Sequence, residues 1–114
     1  MKITEPFVDC CKQPVLDDVK TFLATDCESI AIRRCRNCQC HWYYHLKEYA
    51  LLTDEYNRRV WCVRLIPDEA ETFVKAAQSP AASLFANRAG IVRDEDGIRK
   101  VQGVPEFIRQ SIMA

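Results

Sequence analysis

The sequence predicts an α+β fold: a small antiparallel β-meander with helices packed on one face and a candidate zinc knuckle at a hairpin tip. Three observations carry that prediction. Apolar residues alternate with period two in "ESIAIRRC" and "RRVWCVRLI", the pattern of half-buried strands. They recur at helical spacing in "IPDEAETFVKAAQ". Between the two strand segments stands "RRCRNCQCHWYYH", Arg33 to His45, which gathers three cysteines, two histidines and three aromatics.

Taken in order, residues 1–13 show no clear periodicity. From Pro14 onward Val15, Leu16, Val19, Phe22 and Leu23 fall on one apolar stripe, with Asp17 and Asp18 near its positive end. That spacing predicts a helix over about 14–25. Ile30 and Ile32 then alternate with Ser29, Ala31 and Arg33 as a strand would. The next segment, "HWYYHLKEYALL", fits both periods: Trp42, Tyr44 and Leu46 alternate, while Trp42, Leu46, Tyr49 and Ala50 share a helical face. Three neighbouring aromatics decide for a strand. Thr53 to Asn57 reads as a turn. The strand after it puts Trp61, Val63 and Leu65 on one face and Val60 and Cys62 on the other, completing a three-stranded meander.

The second half is more helical. Pro67 sits in a first helical turn with Asp68, Glu69 and Glu71, and Ala70, Phe73, Val74 and Ala77 form the buried stripe. Ser79 and Pro80 open a further helix that closes at Gly90. "GIVRDEDGIRKV" predicts a hairpin around Asp96-Gly97. Pro105 starts a last short helix with Phe107, Ile108, Ser111 and Ile112 on one face.

A chain of 114 residues is expected to form one domain, 1–114, with a substantial core. Sixteen basic and sixteen acidic side chains cancel, so no global field draws the chain to nucleic acid or membrane. Locally the balance differs: Ile30 to Arg64 carries seven Lys/Arg against three Asp/Glu. The N-terminus lacks the apolar run of a signal peptide, and no window approaches a membrane span of about 20 residues. A cytoplasmic location, without membrane contact, is expected. Seven cysteines, an odd number, then argue for reduced thiols rather than a disulfide framework.

Cys35-x-x-Cys38 lies where one strand ends and the next begins, a tight turn able to present two thiolates to one tetrahedral ion. Cys40 or His41 could supply a third ligand. The fourth is open among Cys10, Cys11, Cys27 and Cys62. Ordinary buried thiols at a sheet end are the competing explanation, and a redox pair lacks the helix that a thioredoxin-like motif would require. Gln39 stands where many zinc knuckles carry glycine. His41 and His45 would share a face in a helix or a strand, but in a strand they lie ~13 Å apart, too far for one ion. The strand assignment therefore denies them a joint site.

Catalysis is not expected. With glycine only at 90, 97 and 103, neither a phosphate-cradling loop nor a dinucleotide fingerprint can be written. A cysteine nucleophile with a histidine base is conceivable, but nothing singles out one thiol of seven. Nucleic acid is the alternative partner. Arg33, Arg34, Arg36, Arg58, Arg59 and Arg64 could line phosphates while Trp42, Tyr43 and Tyr44 stack on bases, although the same residues serve equally as sheet packing and a solvated face.

The run from Glu28 to Phe73, with "RRCRNCQCHWYYH", a polar turn, a short strand and "LIPDEAETF", resembles small bacterial proteins built on a C-x-x-C-x-x-x-W hairpin. Some of these are similar to immunity proteins that neutralise polymorphic or contact-delivered toxins. The resemblance implies a non-catalytic, protein-binding molecule whose partner is a cognate toxin domain. Asp94, Glu95 and Asp96 could then occupy a basic cleft of that toxin, unless they are only a solvated hairpin turn.

Overall fold

The computed structural model describes residues 8–49, 57–94 and 97–111. Its centre is one six-stranded antiparallel sheet in simple sequential order: β1 (Leu16–Ala24), β2 (Glu28–Cys35), β3 (His41–Tyr49), β4 (Asn57–Leu65), β5 (Ala89–Asp94) and β6 (Gly97–Gln102). Two short α-helices, α1 (Pro67–Lys75) and α2 (Glu106–Ser111), and a 3-10 turn at Ala82–Phe85 complete it. The molecule is mostly β, and the expected three-stranded meander is the middle of a sheet twice as wide.

The strands β2, β3 and β4 fall where period two places them, and their alternation sorts the side chains onto two faces. Ile32, Tyr43, Trp61, Val63, Leu65 and Val92 point to one face. There Ala70, Phe73 and Val74 of α1, Phe85 of the 3-10 turn and Phe107 and Ile108 of α2 cover them. Tyr43, Trp61 and Phe85 meet at ring-centroid distances of 4.8–6.1 Å, within the range of favourable aromatic pairs. Ala31, Trp42, Tyr44, Leu46, Val60, Cys62 and Ile91 point to the other face, where Val8, Cys10 and Leu16 pack against them.

The helix expected over 14–25 is instead β1, at the sheet edge. The register explains the misreading. Pairing with β2 slips between Asp18 and Lys20 and again between Thr21 and Leu23, leaving Val19 and Phe22 as extra residues. Each bulge adds one residue and breaks the alternation, so Leu16 packs on one face of the sheet and Phe22 on the other, and β1 loses the period of two. Asp17 and Asp18 do not cap a helix: they bond Arg36 and Arg33 of the neighbouring strand and its turn, at 2.6 and 2.7 Å.

The helix expected from Ser79 to Gly90 shrinks to the four residues Ala82–Phe85, with Ala81 rather than Ser79 at its start. Gly90 closes no helix but lies in β5, where a Cβ would come within 2.8 Å of the Trp61 indole nitrogen. The helix at Pro67 holds. It ends at Lys75, so Ala77 falls outside it. Its start is fixed by Glu69, whose carboxylate accepts the Ile66 N–H at 3.1 Å and pairs with Arg88 at 2.8 Å. The expected hairpin is β5–β6, with Asp94 opposite Gly97. Its tip residues Glu95 and Asp96 lie outside the described residues, as do the turn residues 53–56 and Ile112.

Candidate metal centre

Cys35 ends β2 and Cys38 sits in the turn that leads to β3. This turn is a knuckle: the Cys35 N–H donates to the Cys40 carbonyl and the Gln39 N–H to the Cys35 carbonyl, both at 2.8 Å. The glycine missing from the motif is not missing from the geometry. Gln39 takes the left-handed conformation, φ 70°, that glycine would supply at less cost. Its amide donates to the Arg36 carbonyl at 2.9 Å, which helps to hold that conformation.

The segment before β1 docks on this tip. The Arg36 N–H donates to the Val15 carbonyl at 2.8 Å, and the Asn37 amide donates to the Gln13 carbonyl. Residues 10 and 11 are thereby carried to the same spot, and Cys10, Cys11, Cys35 and Cys38 bring their sulfurs within 4.8 Å of one another. Cys11 and Cys35 are 3.8 Å apart. Four sulfurs at ~2.3 Å from a tetrahedral ion would be separated by about 3.8 Å. The donor set and the spacing fit zinc, and all seven cysteines are free thiols.

The electrostatics divide the four thiols into two pairs. Burial opposes ionisation of Cys35, but the backbone N–H groups of Cys38, Val15 and Asn37 aim at its sulfur and bring its pKa down to about 6. The backbone N–H of Cys40 and the Cys10 thiol likewise lower Cys38. Cys10 is pushed up by burial and by the neighbouring Cys38 sulfur, and Cys11 by burial and Cys35. Like charges so close cannot all form without a cation between them. The Trp42 indole N–H, buried and without a conventional hydrogen-bond partner, favours the ionised form of Cys10.

Of the six residues expected to bind metal, Cys35, Cys38, Cys10 and Cys11 come together; Cys40 and His41 do not join them. Cys40 turns toward Arg64, whose guanidinium donates to its sulfur at 2.8 Å. His41 is half-buried in the wall of a groove beside the knuckle, its pKa lowered by burial and then by Arg34. The other two fourth-ligand candidates are remote. Cys27 lies at the opposite end of β2, beyond Glu28. Cys62 is fully buried in mid-strand, its thiol pushed up to about 12 by burial. The vicinal Cys10-Cys11 pair was among the candidates, but no motif marked it as a donor of both remaining ligands.

His45 is bound elsewhere. Its Nε2–H donates to Glu28 at 2.6 Å and its Nδ1 accepts the Tyr43 hydroxyl at 3.1 Å, a neutral tautomer with both nitrogens used. Trp42, Tyr43 and Tyr44, considered for base stacking, are all core residues with at most 8% of their surface exposed. Arg33 pairs with Asp18 and lies 3.6 Å over the Tyr44 ring, and Arg36 pairs with Asp17. Arg34 lies opposite His41 in the β2–β3 register. Asp94 is held by both of its oxygens on Arg99, at 2.9 and 3.0 Å, so it is not a free acidic tip.

No protein-family profile, curated protein or solved structure matches this chain. Among the described residues no helix is long and apolar enough to cross a membrane.

Proposed function

We propose that the four thiols hold a structural zinc ion and that the chain is a non-catalytic protein-binding module, an immunity protein that neutralises a cognate toxin in the cytoplasm by direct binding. The observation that carries the metal reading is the convergence of Cys10 and Cys11 with Cys35 and Cys38. Four protein thiolates satisfy a tetrahedral zinc and leave no position for substrate, which is the mark of a structural rather than a catalytic ion. Backbone N–H groups directed at Cys35, Cys38 and Cys11 act as the outer shell that such thiolates require. The toxin partner is supported by the C-x-x-C/Trp hairpin resemblance; of the acidic hairpin only Asp94 is among the described residues, and it is engaged by Arg99.

Elemental analysis of reduced, untagged protein tests the first half. About one zinc per chain is expected, lost in Cys35→Ser and retained in Cys40→Ser; an equal loss in both would redraw the ligand set. Co-expression with a toxin domain encoded beside the gene tests the second half. Stoichiometric co-purification and loss of toxicity are expected, and undiminished toxicity would end the immunity reading. A salt-sensitive complex with DNA or RNA, lost on replacing Arg33, Arg34 and Arg36, would support a zinc-knuckle nucleic-acid regulator instead. The burial of the three aromatics and the ion pairs of Arg33 and Arg36 speak against that alternative.

A further inference from the structure

Cys40 is the thiol that the four-sulfur cluster leaves over beside itself. It lies two residues beyond Cys38, and the two side chains are hydrogen-bond partners. Gln39 between them takes φ 70°, so the chain bends back there. Cα atoms two residues apart are at most about 7 Å from each other in an extended chain, and the bend shortens that span toward the roughly 4.4–6.8 Å of a disulfide. Arg64 gives one N–H to the Cys40 sulfur at 2.8 Å, and its own backbone is held by Arg88, which donates to its carbonyl at 2.8 Å. Cys40 is therefore a placed thiol, fixed next to a zinc ligand without being one.

Both residues are reachable from one opening. Cys38 and Cys40 line the groove of about 770 Å³ between the knuckle and α1, ample room for a small solute. Of the four clustered thiols only Cys38 contributes to that lining, and Cys35 is wholly buried. A hydroperoxide entering the groove thus meets one zinc ligand and, beside it, a thiol that the ion does not hold. An accessible thiolate with a second thiol next to it is the arrangement of redox-sensing cysteines. Where thiols are otherwise kept reduced, such disulfides form transiently.

We infer that Cys38 and Cys40 form a peroxide-responsive switch on the zinc site, with Cys38 as the thiolate that is oxidised and Cys40 as the thiol that resolves it. The inference rests on the structural-zinc reading and gives that site its regulation. The zinc-bound Cys38 thiolate attacks one oxygen of hydrogen peroxide; the O–O bond breaks, Cys38 becomes a sulfenic acid and hydroxide leaves. The Cys40 thiol then attacks the Cys38 sulfur; the S–O bond breaks, and the hydroxyl departs with the Cys40 proton as water. One peroxide has taken two electrons from two sulfurs. Cys10, Cys11 and Cys35 cannot resolve Cys38 so directly, because the ion holds their sulfurs. A disulfide sulfur is no longer an anionic ligand, so zinc keeps three of the four thiolates that a closed structural site requires. The segment carrying Cys10 and Cys11 loses its tie to the knuckle, and the sheet face of Trp42 and Tyr44 loses part of its cover.

The test treats zinc-loaded protein with one equivalent of hydrogen peroxide in the presence of a chromogenic zinc chelator. Zinc should be released. The tryptic peptide 37–47, which contains Cys38 and Cys40 and no other cysteine, should become two hydrogen atoms lighter and closed to alkylation. A dithiol reductant with added zinc should restore the loaded form. Cys40→Ser, its fold first checked by the amide spectrum of the loaded protein, should release zinc about tenfold more slowly than wild type. Cys27→Ser, at the far end of β2, should release it at the wild-type rate. Wild-type release from Cys40→Ser, a first cross-link from peptide 37–47 to Cys10, Cys11 or Cys35, or a loss that the reductant cannot reverse would each overturn the inference and leave the metal reading in place. So would a loaded protein that keeps its zinc under peroxide. A chain that holds no zinc before peroxide is added would end the metal reading and the switch together.

Discussion

The two faces of the sheet are closed by different chemistry. On one, Trp61, Tyr43, Ile32 and Val92 are covered by α1, α2 and the 3-10 turn mainly through apolar packing, with Arg88 bonding both Glu69 of α1 and the Arg64 carbonyl of β4. On the other, Trp42, Tyr44, Val60 and Cys62 are met by a segment without regular structure, through Val8 and Cys10. Helices bring their own backbone hydrogen bonds to an interface, so their cost of ordering is partly met before they dock. An irregular segment brings none, and fixing each residue costs about 1–2 kcal/mol. What offsets that cost here is attachment: two hydrogen bonds to the knuckle and a pair of thiols at residues 10 and 11. The helix-covered face is closed by side chains of the chain itself, while in the proposed zinc-bound form the other face is finished by a cation held at four clustered thiols.

The largest expected effect breaks that second attachment. Chelation of zinc, or Cys35→Ser, should lower the melting temperature by at least about 10 °C, because metal binding to such a site is folding free energy. The loss should be uneven. Amide exchange should rise first through residues 8–15, and the emission of Trp42 should shift to the red. The packing of Trp61, on the helix-covered face, should change little. If both tryptophans respond together, the faces are one cooperative unit and the contrast between them fails.

A smaller effect sharpens the comparison from the helix-covered side. Gly90→Ala forces a methyl group to within 2.8 Å of the Trp61 indole and 2.9 Å of the Cys62 carbonyl. Overpacking of that kind costs about 1–3 kcal/mol. The midpoint of denaturant unfolding should fall accordingly, with zinc content unchanged at about one per chain. Loss of zinc in this variant would mean that the two faces are coupled through β4.

How much of this was legible depends on which face a residue serves. Strands that feed the sheet centre, β2 to β4, were readable because strict alternation there is enforced by burial on both sides. The edge strand β1 was not, since its two bulges break the alternation and put Leu16 and Phe22 on opposite faces. For the knuckle the reverse holds. The sequence motif located Cys35 and Cys38, and the absent glycine counted against it, yet Gln39 adopts the required φ. The partners Cys10 and Cys11 could be placed only by the path of residues 12–15, which is set by tertiary hydrogen bonds and leaves no periodic trace. Cys40 was the nearest thiol in sequence, but it points along the strand toward Arg64.

The smallest effect is a titration, and it belongs to the helix-covered face. His45 is buried there between Tyr43 and Glu28. Its pKa lies below the ordinary histidine value because burial disfavours the cation; Glu28 opposes that shift, and Lys47 adds to it. With the folded pKa below the unfolded value of about 6.5, the unfolded chain binds the extra proton first as pH falls. The contribution of His45 to stability is therefore complete above about pH 6.5 and declines below it, by at most about 1.4 kcal/mol per pH unit for one proton. Zinc release in acid would produce a slope of the same sign, so the measurement is a difference. Melting curves of wild type and His45→Gln, each zinc-loaded, are compared at pH 7.5 and 5.5. The glutamine amide can still donate to Glu28 but cannot titrate, and the wild type should lose more stability than the variant over this interval. Identical losses would remove His45 as a sensor and leave the acid response to the thiols and to His41, whose pKa burial also lowers.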